Sequence, residues 1–319
     1  MALPLLVDCD TGIDDAIALT YLACRDDAEV AGIVSTGGNV PAATVHRNNL
    51  ALSELLGLDA PVALGADRPL VEPPMFAEDT HGAGGLGHAV LPEATRAEDP
   101  RSGAQLWVDL ARERPGELVG LVLGPHTNLA HALEIEPELP RLLRRLHVMG
   151  GAINHRGNTG ATSEWNIAVD PEAAQRVLAA FASAPQLPVL GALQATEQIV
   201  FTGAELERLE ALAARSAHPV ARILAEAVRF YFEFHQADGF GWTAHVHDPL
   251  VTAHALTGEF ASTRPLPVDV ELAGTLTRGQ TVGDELGRWG RGPTVELLDE
   301  VRPAEFVEHL LGTLEAGLG

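Results

Sequence analysis

The apolar positions of this chain fall in short runs that end, one after another, at glycine or at an acid. Leu3-Pro4-Leu5-Leu6-Val7 predicts a buried strand that stops at Asp8, and Ala16-Ile17-Ala18-Leu19-Thr20-Tyr21-Leu22-Ala23 predicts a buried helix. Residues 28–36 predict a second strand closed by Gly37-Gly38-Asn39, followed by a helix from Ala42 to Leu56 and a short strand at 61–64. Residues 101–114 read as a helix, 117–123 as a buried strand ending at Gly124-Pro125, 127–135 as a helix, and 146–149 as a strand ending at Gly150-Gly151. Further on come a strand at 187–193, a largely helical amphipathic stretch at 203–236 with a glycine-rich break at 238–241, and late strands at 268–273 and 294–298. A helix from about Pro303 closes the pattern. Asp170-Pro171-Glu172 and His247-Asp248-Pro249 each read as a helix start, an acidic cap with proline in the first turn.

Strand–helix alternation of this kind predicts an α/β protein with a mostly parallel open central sheet and helices on both faces. No Pro/Gly/Ser linker interrupts it, so residues 1–319 are expected to form a single domain. The polar clusters after Val7, Thr36, Leu123 and Met149 all follow strand carboxyl ends. Open α/β sheets bind ligands there, and these clusters are expected to converge on one edge of the sheet. Two irregular segments stand out, 65–100 and 152–169, and loops this long inside a domain are usually functional. The first contains His81 in a glycine-rich run, Asp79-Thr80-His81-Gly82-Ala83-Gly84-Gly85-Leu86-Gly87; the second contains Asn158 and Glu164-Trp165-Asn166.

Charge narrows the partners. The 319 residues carry 21 basic and 44 acidic side chains, a formal charge of −23, which disfavours nucleic acid and anionic membrane surfaces and favours a small neutral substrate or a cation. Every basic side chain other than histidine is arginine; there is no lysine for Schiff-base chemistry or for a phosphate-binding loop. Two cysteines, Cys9 and Cys24, make no disulfide scaffold. With no signal-like N-terminus and no span long enough for a bilayer, the expected compartment is the cytoplasm.

The densest chemistry lies at Asp8-Cys9-Asp10-Thr11-Gly12-Ile13-Asp14-Asp15, four carboxylates within eight residues at a strand–turn–helix junction. A helix N-terminus favours negative charge and accounts for Asp14 and Asp15, but not for Asp8 and Asp10. Crowded carboxylates call for a cation. Asp10 and Asp15, on either side of the Thr11-Gly12 turn, can grip one ion, and Asp8, on the strand face of Asp10, can support the ion or its water. An EF-hand is excluded, because the twelfth position counted from Asp8 is Leu19 where a bidentate glutamate is required. Asp248 has two readings, helix cap or ligand, and the neighbouring imidazoles of His247 and His245 favour the second.

These residues resemble the inosine-uridine-preferring nucleoside hydrolase family. The resemblance rests on Asp8 to Ala16, Gly38-Asn39, His81-Gly82 with Gly85-Leu86-Gly87, and Gly124-Pro125-His126-Thr127-Asn128. It continues through Met149-Gly150-Gly151, Asn158, Glu164-Trp165-Asn166, Asp170-Pro171-Glu172-Ala173, His247-Asp248-Pro249 and Thr277-Arg278-Gly279, in order across nearly the whole chain. The resemblance implies the nucleoside hydrolase fold with its Rossmann-like core, and a calcium-dependent hydrolase of N-glycosyl compounds that splits ribonucleosides into ribose and nucleobase. It implies Asp10, Asp15, Asp248 and the backbone carbonyl of Leu123 as calcium ligands, and Asp10 as general base on a calcium-bound water. Asp14, Asn166 and Asp248 would hold the ribose 2′- and 3′-hydroxyls, Asn158 and Glu164 the 5′-hydroxyl, with Asn39 on the pocket floor and Met149 at the substrate. His247 matches the acid for the departing base, and His81 lies near the base pocket. A homodimer or homotetramer is implied as well.

The chain departs from the family pattern at Thr11, where proline is frequent, and at Trp165, where phenylalanine is common. The aromatic stretch Phe230-Tyr231-Phe232-Glu233-Phe234-His235 falls in the region that contacts the base, with Phe234, His235 and Trp242 as the candidates. Two other classes compete. Asp8-Cys9-Asp10 resembles the nucleophile motif of haloacid-dehalogenase-like phosphatases, but Gly12 stands where that motif needs Thr or Val and the phosphate-binding lysine is missing. A non-catalytic nucleoside or calcium binder on the same fold needs neither Asp10 nor His247.

Overall fold

The computed structural model describes residues 2–319. Its strands are β1 (Leu3–Cys9), β2 (Ala28–Ser35), β3 (Val62–Leu64), β4 (Val119–Val122), β5 (Arg145–Met149), β6 (Val189–Gly191), β7 (Val200–Phe201), β8 (Ala244–His245), β9 (Ser262–Leu266), β10 (Val268–Val270), β11 (Thr281–Gly283) and β12 (Val295–Asp299). The helices are α1 (Ile13–Ala23), α2 (Ala42–Leu55), α3 (Glu78–His81), α4 (Gly103–Glu113), α5 (Thr127–Ile135), α6 (Leu139–Leu142), α7 (Trp165–Val169), α8 (Pro171–Phe181), α9 (Leu193–Thr196), α10 (Gly203–Arg215), α11 (Pro219–Ala237), α12 (Asp248–Thr257) and α13 (Pro303–Leu318).

Eight strands form one sheet in the order β3-β2-β1-β4-β5-β6-β12-β9. All neighbours are parallel except β12 with β9, which pairs antiparallel at the edge. The two-residue period of the strands splits the core between the two faces. Leu5, Val7 and Cys9 of β1 pack with α1, α11, α12 and α13, whereas Leu6 packs with α4, α5 and α8. Helices therefore cover both faces, the arrangement expected from alternation.

Chain order reverses at β1, which lies between β2 and β4. That is the switch point at which flanking loops part and leave a crevice beyond the carboxyl ends of the strands. Three differences from the sequence reading have physical causes. The strand expected over 187–193 stops at Gly191, and α9 begins at Leu193, so the apolar run there spans two elements. The segment 152–169 is not wholly irregular: Glu164 accepts the N–H groups of Asn166 and Ile167 and so starts α7. The strand expected at 268–273 ends at Val270 and pairs with β11 outside the main sheet.

Candidate active site

The ends of β1, β2, β4, β5 and β6 open onto one cavity of about 500 Å³. Its lining includes Asp10, Asp14, Asn39, His81, Leu123, Met149, Asn158, Glu164, Asn166, His247 and Asp248, which the sequence spreads over more than two hundred positions.

Two glycines make the floor possible. A Cβ on Gly38 would collide with Asp10 Oδ2 and Pro125, and a Cβ on Gly12 would lie 2.5 Å from His81 Nδ1. The turn after β1 is tied down locally, since Asp15 Oδ2 accepts the Gly12 N–H at 2.8 Å and Asp10 Oδ2 accepts the Asn39 N–H at 2.8 Å. Asp14, Asp15 and Asp248 bring carboxylate oxygens within 4.8 Å of one another. Asp10 is outside that trio and lines the same cavity.

All four acids are buried. Burial pushes the carboxyl of Asp15 up to about 8 and that of Asp14 up to about 6, and lifts Asp10 and Asp248 well above the usual carboxylate range. Repulsion from neighbouring carboxylates adds to the rise at Asp10, Asp15 and Asp248. Asp15 Oδ1 is buried with no hydrogen-bond partner among the described residues. Arg156, the one arginine in the lining, is engaged instead by Glu197 at 2.9 Å. Four buried acids and an unsatisfied oxygen, with no cationic side chain against them among the described residues, form a donor set that fits a hard cation with oxygen ligands.

Other polar groups are already committed. Asn166 Nδ2 donates to the Leu123 carbonyl at 2.7 Å, leaving that oxygen its second lone pair, and to the Met149 carbonyl at 3.2 Å. Glu164 accepts three backbone N–H groups, from Gly151, Asn166 and Ile167, and burial still raises its carboxyl to about 6. Asn158 is exposed and its Oδ1 accepts the Trp165 N–H at 2.9 Å.

Asp8 is placed differently from the expectation that it supports an ion or its water. It does not line the cavity; it accepts from Thr36 at 2.5 Å, Asn128 at 3.0 Å and the Trp107 indole at 2.8 Å. Its carboxylate ties β1 to the segments after β2 and β4 and to α4. Asp248 does not cap α12: it is the first helical residue, the cap position is His247, and no side-chain cap bond forms. Asp170, by contrast, is a true cap, accepting from Ala173 N at 3.0 Å.

Four histidines line the cavity, and three of their tautomers follow from backbone partners. His81 Nδ1 accepts the Ile13 N–H at 3.1 Å, so its proton sits on Nε2. His235 and His245 face carbonyls, Tyr231 O at 2.8 Å and Glu197 O at 3.0 Å, so each donates from Nδ1. The fourth, His247, meets Thr196 Oγ1 at 2.9 Å. Burial, reinforced by nearby imidazoles, lowers His81 and His247 to about 3, which keeps both neutral.

A family model described as inosine-uridine preferring nucleoside hydrolase matches residues 5–308. The chain belongs to this family. Its fellow members include the pyrimidine-specific ribonucleoside hydrolase RihA of Citrobacter koseri, 36% identical over 312 residues and 97% of each chain. Among solved structures, a purine-preferring ribonucleoside hydrolase from Gardnerella vaginalis superposes with a TM-score of 0.90 at 29% identity, covering 99% of this chain and 98% of that one. A plant nucleoside hydrolase, PpNRh1, gives a TM-score of 0.91 at 27% identity over 98% and 99% of the two chains. The nucleoside hydrolase described here is thus an N-glycosyl hydrolase that converts ribonucleosides to ribose and free base, on the α/β fold expected from its sequence.

Within this nucleoside hydrolase the cavity also recruits residues to which the sequence reading gave no role. Glu197 comes from the end of α9, and Phe76 with Asp79 and Thr80 from the long excursion; Thr196 lies behind the lining, against His247. Of the three aromatic candidates for the base, Phe234 and His235 line the cavity; Trp242 is outside it and packs on Phe232. Local spacing gave no signal for Thr196, whose partner is 51 residues away.

Proposed function

We propose that this hydrolase acts foremost on pyrimidine ribonucleosides and uses calcium, held by Asp10, Asp15, Asp248 and the second lone pair of the Leu123 carbonyl. One observation carries the metal: buried, mutually repelling carboxylates around the unsatisfied Asp15 Oδ1, with no cationic side chain among the described residues to neutralise them. An all-oxygen donor set of this kind suits calcium's high and flexible coordination. Bound there, calcium supplies the positive charge that keeps these acids ionised and that orients and acidifies the attacking water. The pyrimidine preference is supported by the 36% identity to relatives named for that specificity.

The chain's own residues then divide the work. Asp10, as general base, takes a proton from the water as its oxygen closes on C1′. The N-glycosidic bond breaks through an oxocarbenium-like transition state, and the carboxylates of Asp14 and Asp248 favour the positive charge growing on ribose. Asp14, Asp248 and Asn166 hold the 2′- and 3′-hydroxyls, Asn39 supports the pocket floor, and Met149 packs beside the sugar. Asn158 and Glu164 receive the 5′-hydroxyl; a buried carboxylate at that end disfavours a 5′-phosphate. His247 serves as acid to the departing base, and His81 offers its Nε2–H near the base.

No described helix is long and apolar enough to cross a membrane, in keeping with a cytoplasmic enzyme. The family resemblance extends the reading to a homodimer or homotetramer, which light scattering of the purified protein checks. The activity is tested by ribose release from uridine, cytidine, inosine and adenosine, before and after chelation and after calcium is returned. Uridine and cytidine should lead, and chelation should abolish turnover. Release of ribose from none of the four, or undiminished turnover in chelator, overturns the reading.

A further inference from the structure

Thr196 is fully buried at the end of α9, and its hydroxyl has one hydrogen-bond partner among the described residues, His247 Nδ1 at 2.9 Å. A hydroxyl can donate or accept, and so can a neutral imidazole, so the pair alone permits either direction. Burial decides between them. If Thr196 accepted from Nδ1, its own proton would be left inside the protein with no acceptor, which buried polar groups avoid. If it donates, both groups are satisfied, and the ring proton of His247 must sit on Nε2.

The next residue does the opposite for the next histidine. The Glu197 carbonyl can only accept, so His245 carries its proton on Nδ1. The two rings stack, with centroids 6.3 Å apart and planes 18° from parallel, so one dipeptide of α9 and its end holds two stacked imidazoles in opposite tautomers. The Glu197 side chain is itself anchored by Arg156 at 2.9 Å, and α9 is hung from β5 by the Leu193 N–H to Gly151 carbonyl bond at 2.9 Å.

We propose that Thr196 is a positioning residue for catalysis: by donating to Nδ1 it locks His247 with its N–H on Nε2, the donor the leaving base needs. The inference rests on the reading of His247 as the leaving-group acid. As the glycosidic bond breaks, its electron pair departs with the base, the Nε2–H of the neutral ring donates a hydrogen bond to the base as that charge grows, and the base takes its proton from solvent. The water's hydroxyl joins C1′ and its proton passes to Asp10, so the hydrolysis balances.

The test compares uridine with 4-nitrophenyl β-ribofuranoside, whose leaving group departs as a stable anion and needs no proton. Thr196→Val should lower kcat on uridine by roughly tenfold to a hundredfold, with KM and the nitrophenyl reaction nearly unchanged. Thr196→Ser should restore most of the loss, and His247→Ala should show the same leaving-group pattern more strongly. If Thr196→Val lowers both substrates alike, or leaves uridine at the wild-type rate while His247→Ala keeps the pattern, the role of Thr196 is refuted and that of His247 stands. If His247→Ala itself shows no leaving-group dependence, both fall. Ring 15N shifts in the unaltered protein provide a check that needs no variant: Nε2 protonated on His247 and Nδ1 protonated on His245, the reverse assignment overturning the proposal.

Discussion

The backbone N–H of His247 donates to Asp14 Oδ2 at 3.3 Å across 233 residues of sequence. This bond fastens the start of α12 to the start of α1, two helices that pack together with their N-termini at the cavity. Each N-terminus brings partial positive charge to the carboxylates gathered there, which eases their burial without neutralising it. The acid cluster and the backbone that carries the His247 imidazole are thereby fastened together.

Asp10→Asn should remove the base while leaving a side chain of the same shape. Turnover on uridine is expected to fall by about 10²–10⁴, with calcium binding by titration calorimetry retained in weakened form. Turnover close to wild type would reject Asp10 as the base.

Asp15 carries the unsatisfied oxygen, so Asp15→Asn should damage metal affinity more than it damages folding. Excess calcium is expected to stabilise the wild-type protein by about 3 kcal/mol at a hundred times its Kd, and the variant by much less at the same concentration. Thermal melts with and without calcium read the difference. Equal stabilisation of the two proteins would remove Asp15 from the ligand set.

Asp8 serves the scaffold, holding Thr36, Asn128 and Trp107 away from the cavity. An amide at this position must turn an NH₂ toward at least one buried donor, so Asp8→Asn should cost about 1–3 kcal/mol of stability. Its kcat should stay within about tenfold of wild type. Abolished calcium binding in a folded variant would instead return Asp8 to the ion.

Sequence spacing reveals a site only where neighbours in the chain are also neighbours in space. Asp10, Asp14 and Asp15 were legible because one turn gathers them, and Asp170 because a cap is a local device. The sheet was legible from alternation, since parallel strands buried on both faces read as unbroken apolar runs. Edge strand β9 was not: Arg264 and Pro265 argue against a strand, and proline is tolerated only because β9 lies at the antiparallel edge. Asp248 carries the same local cap signal as Asp170, with only the adjacent His247 and nearby His245 to favour a ligand, and in the fold it is the first residue of α12 rather than its cap. Thr196 shows the limit most plainly, a lone hydroxyl on a four-residue helix whose meaning comes from a distant ring.

Buried histidines outside the cavity set a pH dependence of stability. Burial lowers His126 and His254 to about 4 and His147 well below the ordinary value, and both ring nitrogens of His126 lack partners among the described residues. An unfolded histidine takes up its proton near pH 6.5, whereas folded His126 resists until about 4. Between those values the unfolded state binds more protons. The contribution of His126 is thus fully present above about 6.5 and is lost progressively as pH falls toward 4. Asp8 and Glu164, raised to about 6 by burial, act in the opposite sense over part of this window, so a single-site comparison is needed. His126→Phe should gain about 2–3 kcal/mol relative to wild type between pH 7 and pH 4.5, by denaturant titration at both values. A gap that does not move with pH would contradict the shift.

The span from Asp14 to His247 also bears on biosynthesis. A ribosome delivers the acidic turn 233 residues before the segment that faces it. Residues up to 128 already supply partners to Asp8, Asp10 and Asp15, while the cover over Asp14 comes from the start of α12. In chain order His247 and Asp248 are the last residues of the cavity lining to be synthesised, so the pocket is complete only in chains that extend through α12.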